Sequence, residues 1–104
     1  MDVKIREDGR AVTIAFVGEL DHHAAKETVT RMERALDASL PTRLTLDFSG
    51  VTFMDSSGIA VAMRARRRMA ALGGTIAIIN VPAQAKKVFD AAGIACAAKT
   101  EGST

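Results

Sequence analysis

The 104-residue sequence contains no tryptophan, no tyrosine and only four phenylalanines. A hydrophobic core must therefore be built mainly from isoleucine, valine, leucine, methionine and alanine. The single cysteine, Cys96, excludes an intrachain disulfide and fits a reducing cytoplasm. The formal net charge of +2 is too small to indicate binding to nucleic acid or to a membrane surface.

Long hydrophobic runs are also missing. The longest uncharged run, residues 69–85, is interrupted by glycine, asparagine and proline, whereas a transmembrane helix needs about 20 apolar residues. Met1–Arg10 is charged and lacks the apolar centre of a signal peptide. We therefore expect a cytoplasmic protein with one domain over residues 1–104, in which a tail from about residue 99 to 104 frays.

Alternating apolar residues at the start of the chain predict an antiparallel β-hairpin. Val3–Glu7 and Ala11–Val17 alternate as strands do. Asp8-Gly9 lies between them and accepts the positive φ of a tight hairpin turn. The inward face of the second strand is predicted to carry Val12, Ile14 and Phe16.

The rest of the chain alternates helices with strands, which predicts an α/β fold. The sheet should be mixed, with the N-terminal antiparallel hairpin, further parallel strands and helices packed against it. Asp21 is a plausible N-cap for the first helix. The predicted elements are a helix over His22–Leu40, a strand over Leu44–Phe48, a helix over Ile59–Leu72, a strand over Thr75–Val81, a helix over Ala83–Ala92 and a short strand around Ala95–Ala98.

A polar segment, Asp55-Ser56-Ser57-Gly58, precedes the second predicted helix. A helix N-terminus presents unpaired N–H groups and the positive end of the helix dipole, which favour an oxygen, a carboxylate or a phosphate. A serine in this position can act as a nucleophile, cap the helix or be modified. The segment alone does not choose between Ser56 and Ser57.

A serine hydrolase is one interpretation of these residues, and a helix-capping serine is the simpler one. The pattern is not Gly-x-Ser-x-Gly, because Met54 stands where the first glycine belongs. We therefore expect no catalytic residues and no enzymatic activity. The residues that could supply a catalytic triad are Ser56 or Ser57, Asp21 or Asp55, and His22 or His23.

Metal, cofactor and nucleic-acid sites are not supported by the motifs. His22 and His23 are adjacent, so that in a helix their side chains point about 100° apart. No Cys-x-x-Cys, His-x-x-x-His or Gly-x-Gly-x-x-Gly pattern is present. The basic cluster, Arg64 and Arg66–Arg68, is expected to be a solvated face or an electrostatic rim for an acidic protein partner. We therefore expect no metal, no cofactor and no nucleic acid.

Ser56 can also be the substrate of a kinase. Its phosphate would add a charge of about −1.5 to −2, which the helix dipole offsets by about 0.3–1 kcal/mol in the isolated fold. An unpaired charge buried in a protein interface costs several kcal/mol. Phosphorylation can therefore preserve the fold and abolish a complex.

Two segments carry a family resemblance. Gly18–His23 and Phe53–Ile59 resemble the STAS-domain anti-sigma factor antagonists of bacteria, most closely those that antagonise the anti-sigma F factor in sporulation. Gly73-Gly74 and Lys87–Gly93 fit as well, so that the resemblance covers nearly the whole chain. It implies a STAS-like mixed sheet with the helices packed on one side.

The resemblance also implies a function. The unphosphorylated protein would bind an anti-sigma factor with serine kinase activity and free a sigma factor; phosphorylation would end the complex, and a serine phosphatase would reset it. The family pattern assigns the modification to Ser56, the serine directly after the aspartate, and makes Ser57 the weaker candidate. The implied partner surface comprises Asp21, Asp55, Ser56, Ser57 and Gly58. The alternative is a STAS module that scaffolds a larger signalling assembly.

Overall fold

A four-stranded mixed sheet and three helices make up the computed structural model, which describes residues 1–94. The predicted strand around Ala95–Ala98 and the tail from residue 99 lie outside the described residues. The elements are β1 (Asp2–Asp8), β2 (Ala11–Leu20), α1 (His22–Ser39), β3 (Arg43–Met54), α2 (Ser57–Leu72), β4 (Thr75–Ile79) and α3 (Ala83–Ala91).

The N-terminal hairpin is antiparallel, as predicted, but its turn is one residue further along. Asp8 still pairs with Ala11, so the loop consists of Gly9 and Arg10. Gly9 has a φ of 63°. A glycine with positive φ at the first loop position is typical of a type II′ turn, whose twist matches that of the two strands.

The remaining strands are parallel, in the order β1-β2-β3-β4, which confirms the predicted mixed sheet. Both central strands are longer than predicted. Their pairing passes two register shifts, one of them between Gly18 and Glu19, and continues to the pair formed by Leu20 and Met54. The two segments that carried the family resemblance therefore end at the same edge of the sheet.

The core lies on one face of the sheet, where alternate strand residues meet the three helices. The rings of Phe16 and Phe48 pack edge to face at 5.2 Å, and those of Phe48 and Phe89 at 5.5 Å. All three rings are fully buried, so this series of aromatic contacts connects the sheet to α3. The other buried residues include Val12, Ile14, Met32, Leu36, Leu44, Leu46, Val61, Ala65 and Met69.

The first helix ends one residue earlier than predicted. Leu40 has a left-handed backbone, with a φ of 45°, and its N–H donates to the carbonyl oxygen of Leu36 as a C-cap. Its side chain is half exposed. Pro41 follows directly.

Within residues 1–94, no helix is long and apolar enough to cross a membrane.

Two arginines of the basic cluster pair with α1, so the expected solvated face is only part of their role. Arg64 donates two hydrogen bonds of 3.1 Å to the carboxylate of Glu33. Arg68 forms an ion pair with Asp37, one helical turn further along α1. These pairs join α1 to α2 at the surface, where each contributes about 0–1 kcal/mol.

Candidate functional site

The candidate site is built where two neighbouring parallel strands end. Because Leu20 pairs with Met54 at the ends of β2 and β3, the next residues of each strand, Asp21 and Asp55, emerge side by side. Each leads directly into a helix, α1 or α2. The parallel pairing thus brings together two motifs that are far apart in the sequence.

Asp21 caps the first of these helices, as predicted. Its backbone is extended, with φ −105° and ψ −175°. Its Oδ1 accepts hydrogen bonds from the N–H groups of His23 and Ala24, at 3.0 and 3.1 Å. The carboxylate therefore satisfies two of the N–H groups that the start of a helix leaves unpaired.

Asp55 connects the starts of both helices. Its Oδ1 accepts from the N–H of Ser57 at 2.8 Å, and its Oδ2 accepts from the N–H of His22 at 3.1 Å. The Ser57 N–H, and to a lesser extent the His22 N–H, hold the pKa of the Asp55 carboxyl below its usual value. Asp55 is therefore an ionised acceptor that fixes the position of both loops.

The interpretation of this segment as a helix-capping serine is wrong for Ser56. Ser56 stands at the N-cap position of α2, but its backbone is already helical, with φ −63° and ψ −17°, and its side chain makes no capping hydrogen bond. Asp55 accepts the Ser57 N–H in its place. The Ser56 side chain is exposed, and within residues 1–94 no hydrogen bond to its hydroxyl is found.

Ser57 differs from Ser56 both in exposure and in hydrogen bonding. It is half-buried, and its hydroxyl as well as its N–H hydrogen-bonds to Asp55. Among the described residues neither serine hydrogen-bonds to His22 or His23, so the geometry of a hydrolase triad is not formed. Within residues 1–94, no cluster of three or more His, Cys, Asp or Glu side chains could hold a metal ion.

Gly58 is buried, and its role in the fold is steric. A Cβ atom at this position would lie 2.4 Å from Cγ and 2.6 Å from Sδ of Met54, and 3.2 Å from Cδ2 of Leu20. Both neighbours are fully buried and have little room to move. Glycine at this position lets the first turn of α2 lie directly on the two strand ends.

Gln84 belongs to the site, although no motif of the sequence points to it. Its Nε2 donates to the carbonyl oxygen of Met54 at 2.8 Å, and its Oε1 accepts from the N–H of Met54 at 2.9 Å. Pairing between β3 and β4 has already ended, at Asp47 and Ile79. The Gln84 carboxamide thus takes the place of a neighbouring strand and fixes α3 to the residue before Asp55.

An open, mainly apolar groove of about 500 Å³ lies between α3 and the start of α2. Ser56 is at this groove, together with one positively charged side chain, Lys87. The other lining residues are Ile59, Gln84, Val88, Ala91 and Ala92.

The same fold occurs in known proteins. The model of the STAS domain family matches residues 2–103 of the chain. The chain belongs to the STAS domain family. A curated relative of this STAS domain is the anti-sigma F factor antagonist of Lysinibacillus sphaericus, which is 31% identical over 83 residues. These make up 80% of this chain and 71% of the relative.

Two solved structures of SpoIIAA are similar to this STAS domain. The anti-sigma factor antagonist SpoIIAA in its unphosphorylated form has a TM-score of 0.83 at 27% identity, over 96% of this chain and 90% of that one. The Bacillus cell fate determinant SpoIIAA in its phosphorylated form has a TM-score of 0.74 at 27% identity, over 96% and 93%. The predicted family resemblance is thereby confirmed.

Proposed function

We propose that this STAS domain is a cytoplasmic anti-sigma factor antagonist controlled by phosphorylation of Ser56. The unphosphorylated form binds an anti-sigma factor with serine kinase activity, and the sigma factor is set free. The kinase transfers the γ-phosphoryl group of ATP to Oγ of Ser56: the new O–P bond replaces the bond to ADP, which leaves, and a base of the kinase takes up the hydroxyl proton. The complex then separates. A serine phosphatase then restores the binding form.

The observation that carries this proposal is the different environment of the two serines. A kinase must bring the hydroxyl oxygen in line with the γ-phosphorus and remove its proton, which requires an accessible hydroxyl. Ser56 is exposed and has no side-chain hydrogen bond among the described residues. Ser57 is half-buried and held by Asp55. The contrast supports Ser56 as the modified residue.

The proposed partner surface is the edge where the two loops meet. It comprises Asp21, Asp55, Ser56 and Ser57, with Gly58 beneath them as the residue that allows close packing. Both carboxylates already accept N–H groups, so they are held in fixed positions before a partner binds. A preformed surface of this kind loses little conformational entropy on binding.

Charge is the proposed switch. Phosphorylation adds about −1.5 to −2 charges beside the ionised Asp55. The start of α2 tolerates this charge in the isolated domain because of its dipole. A partner packed over the same edge would have to bury it unpaired or pair it anew, which costs several kcal/mol. Each 1.4 kcal/mol lowers the affinity about tenfold.

The test is phosphorylation by the cognate anti-sigma kinase. The protein, Ser56→Ala and Ser57→Ala are each incubated with the kinase and ATP, and the phosphate is located by mass spectrometry. We expect one phosphate on the parent protein and on Ser57→Ala, and none on Ser56→Ala. Phosphate on Ser57, or none at all, contradicts the proposal; lack of binding to any anti-sigma factor would instead favour a scaffold in a larger signalling assembly.

A further inference from the structure

The groove beside Ser56 contains a cation that has no acidic partner among the described residues. Lys87 is exposed and has no ion pair among residues 1–94. Its neighbour Lys86, by contrast, forms an ion pair of 2.9 Å with Asp90 on the same helix. Of the described residues that line the groove, Lys87 alone is charged.

We propose that Lys87 binds the phosphoryl group of phosphorylated Ser56 and holds it over the groove between α2 and α3. This inference rests on the proposed function, because it takes Ser56 as the modified residue. It adds a shape change to the charge switch, since the bound phosphate and the lysine would together cover the apolar floor of the groove.

The hydrogen bonds of Gln84 bring the two residues within reach. Gln84 contacts the backbone of Met54 at 2.8 and 2.9 Å. Ser56 follows Met54 by two residues, so their Cα atoms lie within about 7.6 Å of each other.

Lys87 follows Gln84 by three residues on α3. Side chains at this spacing share one helix face, with Cβ atoms about 5–6 Å apart. The four-carbon stem of a lysine is flexible, and a phosphoryl group extends the serine towards it.

The charges around Ser56 favour Lys87 over the other groups. On the serine's own side, Asp55 repels a phosphate, and its two oxygens are already occupied by backbone N–H groups. On α3, Asp90 offsets the charge of Lys86. No described carboxylate offsets the charge of Lys87, which is the cation of this groove. A phosphate dianion forms its strongest hydrogen bonds with a charged donor of this kind.

The test measures the second pKa of phosphoserine 56 by ³¹P NMR titration at low salt. The phosphoserine is inserted during translation by codon reassignment, so that no kinase is needed. A nearby cation favours the dianion and lowers this pKa, which is ordinarily about 6. We therefore expect Lys87→Gln to raise it by about 0.5, and Lys87→Arg to leave it near the parent value.

Lys86→Gln is the matched control, because it removes the same charge from the adjacent position of the same helix. Its effect on the phosphoserine pKa should be much smaller than that of Lys87→Gln. Equal shifts in the two variants, or no shift in Lys87→Gln, would overturn the inference. Circular dichroism of each variant checks that the fold is kept.

The outcome is separable from that of the kinase experiment. If the kinase labels Ser56 but the Lys87 variants leave the phosphoserine pKa unchanged, the switch stands and the lysine contact is refuted. If the kinase labels no serine but the Lys87 shift is present, the proposed function fails and the contact stands.

Discussion

The carboxylate of Asp55 accepts a hydrogen bond from the N–H of His22, 33 residues earlier in the chain. This contact joins the loop of the candidate phosphorylation site to the start of α1. The other carboxylate oxygen of Asp55 accepts a hydrogen bond from the N–H of Ser57. Asp55 thus fixes the loop around Ser56 at two points.

Replacement of Asp55 by asparagine should lower the melting temperature. The amide keeps the shape of the carboxylate but has one accepting oxygen, so one of the two N–H groups loses its acceptor. Asp55→Ala removes both hydrogen bonds and should lower the melting temperature further. Asp21→Ala, which removes only the cap of α1, is the comparison and should cost about 1 kcal/mol; an unchanged melting temperature in Asp55→Ala would contradict the bridging role.

The stabilisation by Asp55 should disappear in acid. The pKa of its carboxyl in the folded protein lies below the usual 3.8, so folding favours the ionised form. The contribution is complete above the unfolded pKa and is lost as the pH falls through the folded pKa. Urea unfolding of the parent and of Asp55→Asn, in pH steps downward from neutrality, should show a stability difference that closes below pH 3.8. A constant difference would refute the linkage.

Gln84→Ala should destabilise the protein by about 1–2 kcal/mol, because it leaves the N–H and carbonyl of Met54 without their partner. Lys87→Ala, at an exposed position of the same helix, should change stability by no more than about 0.5 kcal/mol. Hydrogen exchange of the Met54 amide gives a local measurement and should become faster in Gln84→Ala. Equal exchange in both variants would show that the carboxamide contact does not protect this strand end.

Gly58→Ala should destabilise the protein even though alanine is the better helix former by about 1 kcal/mol. The added methyl group would overlap with Met54, and overpacking of a filled core costs about 1–3 kcal/mol. Ser57→Ala, one residue earlier, provides a control without this overlap. A higher melting temperature for Gly58→Ala would mean that Met54 moves aside freely.

Ser56→Glu should separate folding from binding. The charge lies at the exposed start of α2, where the dipole favours it, so the melting temperature should stay within a few degrees of the parent. Affinity for the anti-sigma factor should fall at least tenfold, which corresponds to about 1.4 kcal/mol. Ser57→Glu is not a neutral control, because it would disturb Asp55, so Ser56→Gln serves as the uncharged match and should retain binding.

Much of the fold was predictable because strands and helices differ in hydrophobic period. The alternation of Val12, Ile14 and Phe16 identified the core face of β2 correctly. The ends of β2 and β3 were not predictable in the same way. Register shifts near Gly18 break the two-residue period, so the strands continue where their alternation has stopped.

The candidate site was found through its motifs, but the roles within it were not. Asp55 and Ser56 both suit an N-cap, and only the helical ψ of Ser56 shows which of them accepts the N–H. Gln84 lies on an exposed helix position and contacts Met54, 30 residues away, for which no local pattern exists. The contact between α1 and α2 could have been predicted from matching charge patterns. Glu33 and Asp37 are four residues apart, and so are their partners, Arg64 and Arg68.

The contact between Gln84 and Met54 has a consequence for synthesis on the ribosome. The segment Asp55-Ser56 leaves the exit tunnel well before α3 does, and until then the peptide group of Met54 lacks the carboxamide that completes this strand end. A nascent or truncated chain without α3 therefore offers the serine on an incompletely fixed loop. Only a domain that includes α3 presents Ser56 after a strand end in which Met54 has its hydrogen-bond partner.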